Sequence, residues 1–265
     1  VRRRLGALVL GLAVAAGACE RNAARASGET AGGPAVVVVL VDVSGSVRDQ
    51  EAIATYEDAF GKITESLAPG DVIAVGWISA RSASEPRLPI QEAMPEIARA
   101  PNELYRKAAW ARAERELAAR REELVRRFGR MLEARGSAST TDILGALDLA
   151  RRVFQSYPSG TRALVILSDM VQESSELSLK RRVPEGGERS ALVRRLKREG
   201  RIPDLAGVRA WVVGARDPDP RRFRAIRSFW LELFHEAGAT LREADYGGPL
   251  IRFDPHQGTA SGGAG

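Results

Sequence analysis

Five side chains in this sequence carry hard oxygen donors at spacings that could hold one cation. Asp42, Ser44 and Ser46 form a D-x-S-x-S run, Thr141 stands beside Asp142, and Asp169 ends the apolar run LVILSDM. Carboxylate and hydroxyl oxygens suit Mg²⁺, Mn²⁺ or Ca²⁺, whereas zinc and copper favour imidazole and thiolate. Mg²⁺ takes about six oxygens near 2.0–2.1 Å and gives up water reluctantly, so a site with few protein ligands keeps positions for water or for an outside carboxylate. The serine and threonine hydroxyls are neutral. A third protein carboxylate is therefore not needed to hold the dication, and a ligand's negative charge stays welcome.

These residues need a frame that brings distant stretches of chain together. Residues 36–46 read VVVVLVDVSGS, a continuous apolar run bounded by a turn signal. Such a run suits a central parallel strand covered on both faces. Its carboxyl end is where an open α/β sheet keeps its ligand site. Helical spacing of Ile53, Tyr56, Phe60, Ile63 and Leu67 follows over 49–67, and Pro69-Gly70 ends it. Further strands are expected over 71–78, 163–168, 208–214 and 239–242, with helices over 142–156, 189–199 and 220–237. Strands alternating with helices imply an α/β fold with a doubly wound, mostly parallel sheet flanked by helices. An edge strand has one candidate, residues 87–91.

The order D-x-S-x-S, then the Thr of a T-D pair, then an Asp after a strand resembles the metal-ion-dependent adhesion motif of the von Willebrand factor A domain family, also found as the integrin inserted domain. The match is residue by residue onto Asp42, Ser44, Ser46, Thr141 and Asp169, and TDILGAL over 141–147 resembles the opening of the family's next helix. The resemblance implies a Mg²⁺ site, with Mn²⁺ or Ca²⁺ as alternates, that a partner's Asp or Glu carboxylate completes. One departure stands out. The family often has Gly after the last Asp, where this chain has Met170, which bears on the shape of the third loop. The family also places a final helix after the last strand; residues 246 onward, Tyr-Gly-Gly-Pro and then a Gly/Ala/Ser tail, offer none, so the affinity switch tied to that helix is not carried over.

Residues 102–135 are the least family-like. An apolar stripe of Trp110, Leu117, Leu124, Phe128 and Met131 and the pairs Glu116/Arg120, Glu122/Arg126 and Glu123/Arg127 predict a long inserted charged helix. At 1.5 Å per residue it would run roughly 50 Å, and part of it should project. Two readings follow: a solvated helix laid against the sheet, with Gly129 marking a kink or break, or a partner surface on Trp110, Arg120 and Arg127. The second expects the segment to be dispensable for the sheet.

Lys plus Arg number 40 against 34 Asp plus Glu, for a formal charge of +6, and only Lys62, Lys107, Lys180 and Lys197 are lysines. An Arg, Ala and Gly bias of this kind is explained by GC-rich coding without an anionic partner. A second basic stretch, residues 180–201, could meet lipid headgroups, or it is a solvated face interleaved with Glu185, Glu188 and Glu199. No stacking or groove-reading motif accompanies the charge, which argues against nucleic acid.

Arg2-Arg3-Arg4, an apolar run to Ala16 and the small residues before Cys19 read as a signal peptide over 1–18, too short for the ~20 residues of a spanning helix. Cys19, the single cysteine, resembles the lipidated residue of a bacterial lipoprotein, with residues 19–34 as a flexible tether, 35–246 as the domain and 247–265 as a Gly-rich tail. The expectation is a membrane-anchored, extracytoplasmic protein of the bacterial envelope that binds a protein partner without catalysis. The alternatives are a metal-dependent hydrolase, for which His235 and His256 are poor candidates as base, and a metal-independent scaffold acting through the long helix.

Overall fold

The computed structural model describes residues 33–43, 50–134 and 140–256. The leader and most of the tether, with Cys19, the loop carrying Ser44 and Ser46, and residues 257–265 lie outside the described residues. Six strands, β1 (Ala35–Asp42), β2 (Val72–Ile78), β3 (Ile90–Ala93), β4 (Thr161–Leu167), β5 (Val208–Val213) and β6 (Thr240–Gly247), form one sheet in the order β3-β2-β1-β4-β5-β6. Every neighbouring pair is parallel except β3 on β2. Five helices flank it: α1 (Gln50–Ser66), α2 (Glu103–Glu133), α3 (Ile143–Ser156), α4 (Gly186–Arg198) and α5 (Pro220–Glu236). This is the doubly wound α/β arrangement, with one antiparallel edge.

The valine run is explained by its position. All eight residues of β1 are buried, because side chains alternate between two covered faces. Val36, Val38 and Leu40 pack with α3, α4 and α5, while Ala35, Val37, Val39 and Val41 pack with α1 and α2. The chain winds outward from β1 in one direction through β2 and in the other through β4, β5 and β6. The reversal of order therefore falls between β1 and β4, at whose carboxyl ends Asp42 and Asp169 stand. The edge strand lies at 90–93, later than the expected 87–91, where Ile90 pairs with Val75 and is buried against α1 and α2.

The long helix is integral to the domain over most of its length. Asn102 caps it, its side chain accepting from the Tyr105 amide at 3.1 Å, and the helix is unbroken through Gly129. Its first turn is exposed, with Leu104 at 75% and Tyr105 at 61%. Leu117, Leu124, Phe128 and Leu132 are buried against α1 and the sheet, and the Phe60 and Phe128 rings stack at 4.0 Å. Dispensability is thus corrected: the narrow stripe is core, since the outer face of α1 presents Phe60 and Ile63, which need cover. The charge pairs are also redistributed. Only Glu122/Arg126 forms as expected, at 3.7 Å. Arg120 and Arg127 instead both reach Glu92 on β3, fastening the helix to the sheet edge, while Glu116 takes Arg112 and Glu123 takes Arg126 and Arg130.

Two further stretches differ from their sequence readings. The basic stretch after β4 is laced with acidic partners, including Lys180–Glu173 at 2.8 Å, Arg182–Glu188 and Arg189–Glu232 both at 2.6 Å, and Arg201–Glu176. Residues 248–256, expected in the tail, turn back across the α1/α2 face. Leu250 is buried and its carbonyl accepts from Lys62 at 3.0 Å, and Phe253 meets Trp211 edge-on. His256 Nε2 lies 3.1 Å from Oδ2 of the fully buried Asp71, whose carboxylate also accepts from the amides of Ala35 and Ala68 at 2.8 and 2.7 Å.

Candidate functional site

Described residues from three stretches of chain meet near the carboxyl ends of β2, β1 and β4: Asp42 at the end of β1, Thr141 and Asp142 ahead of α3, and residues 168–173 after β4. Asp42 is the last residue of β1 and is fully buried, and its Oδ2 accepts a 2.8 Å hydrogen bond from Ser168 Oγ on the neighbouring strand's end. Ser168 Oγ in turn accepts from the Met170 amide at 2.9 Å, so one serine ties the end of β1 to the stretch after β4. Asp169 is half-buried and closes an Asx turn, its Oδ1 accepting from the Val171 amide at 2.9 Å.

Met170 occupies the left-handed region, φ 65°. The position therefore holds the conformation that favours glycine, the residue the sequence resemblance expects there. The methionine is fully buried, and its carbonyl accepts from Trp230 Nε1 of α5 at 2.9 Å. That hydrogen bond and the one to Ser168 hold the backbone where a side chain disfavours it.

Thr141 is buried and lies on the second stretch. Its amide and carbonyl exchange hydrogen bonds of 3.0 and 2.8 Å with Glu173, which stitches this stretch to the third. The Asp142 amide donates to Ser79 O at 3.0 Å beyond the end of β2, and its Oδ1 caps α3 by accepting from the Gly145 amide. Glycine is required at 145: a Cβ there would stand 2.1 Å from Asp142 Oδ2 and 2.5 Å from the Ala83 amide. The Gly in TDILGAL is therefore a consequence of how closely the cap approaches the β2 loop.

Two residues at the site escaped the sequence reading. Gln172 is fully buried, and its Oε1 accepts from the Ile143 and Leu144 amides at 2.8 and 3.2 Å, satisfying two of the amides that a helix start leaves without partners. It thereby fixes α3, and Thr141 before it, against the Asp169 loop. The second is Tyr56, which the helical spacing of α1 assigns simply to the core. Its ring packs on Gly214 at the end of β5, and its side chain lines a cleft of about 330 Å³ together with Asp169, Arg216, Asp217 and Pro218. Burial, then Asp42, then Asp169 push the Tyr56 hydroxyl well above its ordinary range, against Arg216. Tyr246 is likewise raised by burial and by Asp169, with Arg227 opposing. Both phenols therefore stay protonated, and both carboxylates act at one place.

The donor set fits a hard divalent cation: two carboxylates after adjacent strands and a threonine hydroxyl ahead of α3, one carboxylate fully buried, with imidazole and thiolate absent from the described residues around them. Among the described residues no three His, Cys, Asp or Glu side chains gather as a metal cage. Ser44 and Ser46 lie outside the described residues. Trp110, Arg120 and Arg127 belong to α2, on the other side of β1 from β4, with Trp110 half-buried and the two arginines on Glu92. His235 ends α5 and His256 sits on Asp71, both at the amino ends of the strands. Among the described residues no helix is long and apolar enough to cross a membrane.

No protein-family model matches the chain, and no curated protein does. Solved structures with a similar backbone include a von Willebrand factor type A protein from Catenulispora acidiphila, at 13% identity over 78% of this chain and 42% of that one, TM-score 0.37. The manganese-loaded TRAP protein of Plasmodium vivax is similar at 14% identity over 81% and 67%, TM-score 0.41. The pilus adhesin SpaC from Lactobacillus rhamnosus GG is similar at 13% identity over 76% and 27%, TM-score 0.42. The chain thus spans less than half the length of the first and third of these.

Proposed function

We propose that this chain is a non-enzymatic binding domain of the von Willebrand factor A type. In this reading Asp42, Ser44, Ser46, Thr141 and Asp169 hold one divalent cation, Mg²⁺ first with Mn²⁺ or Ca²⁺ as alternates, and a protein partner supplies an Asp or Glu carboxylate. The observation that carries the reading is the convergence of Asp42, Thr141 and Asp169 at the point where the strand order reverses, the usual ligand position of open α/β sheets. The bound cation would supply positive charge for the partner's carboxylate. The chain's own residues do the rest: Ser168 orients Asp42, Gln172 and the Glu173 bridge fix Thr141, and Trp230 and Ser168 fix the Asp169 turn. A hydrolase at the same cluster would need a base, and His235 and His256 both lie at the far end of the sheet.

The test is titration of Mn²⁺ into the purified domain by calorimetry. Wild type should bind at one site, and Asp42→Asn and Asp169→Ala should each lose the binding while retaining a cooperative melt. Equal affinity in all three proteins would refute the reading. The proposal extends to place: lipidation at Cys19 would hold the domain outside the cytoplasm on the bacterial envelope, since several acyl chains anchor firmly where one is marginal. Mass spectrometry of the mature protein should find an acylated N-terminal Cys19, lost in Cys19→Ser. A mature N-terminus at any other residue would remove the anchor from the proposal.

A further inference from the structure

Residues 248–256 lie against α1 and β5 through contacts of which one titrates. Leu250 is buried and its carbonyl accepts from Lys62 on α1, while Phe253 covers Trp211 on β5 with ring centroids 4.9 Å apart. The covered ring carries an unmet donor: Trp211 is 2% exposed, and among the described residues its indole Nε1 is buried with no acceptor. A donor left unsatisfied disfavours the covered state, because water would satisfy it. A further anchor is His256, whose Nε2 lies 3.1 Å from Asp71 Oδ2 and whose side chain is 17% exposed.

Asp71 is fully buried and is held in place by the amides of Ala35 and Ala68, at 2.8 and 2.7 Å. An imidazole facing this fixed acceptor offers either a neutral N–H or a full positive charge, and a carboxylate holds the charged form more strongly. The charged groups on the surrounding elements leave that preference in place. Asp254, on the segment itself, accepts from the His256 amide at 3.0 Å and adds negative charge. Lys62 on α1 is paired with Asp58 at 2.7 Å, and Arg121 on α2 donates to the Leu67 carbonyl. Arg209 on β5 lies 3.7 Å from Asp245, and Glu92 on β3 is engaged by arginines of α2.

We propose that His256 and Asp71 form a pH-responsive latch that holds residues 248–256 against α1 and β5 in mild acid and loosens them as pH rises through the titration of the imidazole. The sign follows from linkage. An imidazole that binds its proton more tightly in the latched state stabilises the latch fully below the ordinary histidine value of about 6.5, and this contribution is lost as pH rises through the higher latched value. The latch stands at the pole opposite Asp42 and Asp169 and does not depend on a cation there.

The experiment uses the full chain. Nitrogen-15 NMR from pH 5.5 to 8 follows the His256 imidazole, told apart from His235 by the variant His256→Gln, and the hydrogen exchange of the Trp211 indole N–H, assigned with Trp211→Phe. The glutamine keeps an N–H donor for Asp71 but does not titrate, so comparing the two proteins at each pH removes the intrinsic pH dependence of exchange. The His256 midpoint should lie above about 6.5, and indole exchange at pH 5.5 should be roughly fivefold slower in wild type than in His256→Gln, with the two converging by pH 8. A midpoint at or below about 6.5 would overturn the pairing, and a ratio of wild type to variant that stays constant across the range would overturn the latch. Should His256→Gln fail to melt cooperatively, the Trp230 indole, which donates to the Met170 carbonyl away from the segment, serves as the reference within wild type. A Trp211-to-Trp230 exchange ratio that does not rise with pH then overturns the latch.

Discussion

Met170 holds a left-handed backbone that costs a side-chain-bearing residue on the order of 1–3 kcal/mol, and the surrounding contacts determine whether that cost is worth removing. Met170→Gly relieves the strain but empties a fully buried position, whose filling is worth about 1.5–3 kcal/mol. The expected net change is a destabilisation of about 1 kcal/mol, and Met170→Val, with a branched Cβ at positive φ, should lose more. Trp230→Phe leaves the Met170 carbonyl without its donor and should cost about 1–3 kcal/mol. Urea unfolding checks all three, and a glycine variant more stable than wild type would show that the methionine side chain does not hold this turn. At this scale the sequence is informative where chemistry repeats in order. That Asp42, Thr141 and Asp169 would lie towards one end of the sheet was legible because three oxygen-bearing motifs follow strands or precede a helix. Gln172 and Tyr56 were not, because a lone glutamine in a loop and a tyrosine in an apolar stripe look the same whether or not they serve a site.

At the scale of elements, α2 yields the sharpest expectation. Phe128→Ala removes a ring stacked on Phe60 in the sheet-facing core and should cost about 3–5 kcal/mol, whereas Leu104→Ala and Tyr105→Ala on the exposed first turn should change stability by less than about 0.5 kcal/mol. Replacing residues 102–135 by a short Gly/Ser linker should abolish cooperative melting; a linker variant that melts cooperatively would restore the view of the helix as an appendage. The helix itself was readable from its periodicity, as were α1, α3, α4 and α5 to within a few residues. Its packing was not. A stripe of five apolar positions says which face is apolar and leaves open whether another surface covers it, and that answer lay in Phe60 and Ile63 on α1. The charge pairs show the same limit: spacing four apart permits Glu123/Arg127, but Glu92 on β3, brought near only by folding, takes Arg127 instead.

For the whole molecule, charge pairing sets an acid limit. Burial alone would raise Asp148, but hydrogen bonds from Arg151 and Arg152 outweigh it and hold the carboxyl below its usual range. Glu232 is likewise raised by burial and lowered by more through Ser190 and Arg189. A carboxyl whose folded value lies below its unfolded value of about 4 contributes stability that is full above that pH and is lost as pH falls through the folded value. For partly exposed pairs the contribution is modest, about 0.2–1 kcal/mol each. Asp148→Asn should therefore melt slightly below wild type at pH 7, and the gap should close as pH falls below about 4. A gap that stays constant from pH 7 to pH 3 would mean that this carboxylate's charge has no part in stability. The doubly wound plan was legible because strands and helices alternate, and the sheet order then follows from handedness. The return of residues 248–256 across α1 was hidden, since a Gly- and Pro-rich stretch gives no periodicity to follow.

That return has a mechanical consequence. Asp71 grips the amide of Ala35, where the described chain enters the sheet, and lies 3.1 Å from His256, the last described residue, so both termini of the described chain meet one carboxylate on the pole opposite Asp42 and Asp169. Tension applied between the two ends would load that clamp before it reached β1's carboxyl end, and a partner pulling on Asp42 and Asp169 while the N-terminal side is held would instead stretch β1 along its length. There both flanking strands resist in shear, each through a full ladder of hydrogen bonds. Pulling from the N-terminal side to the site would thus load the two parallel ladders that flank β1.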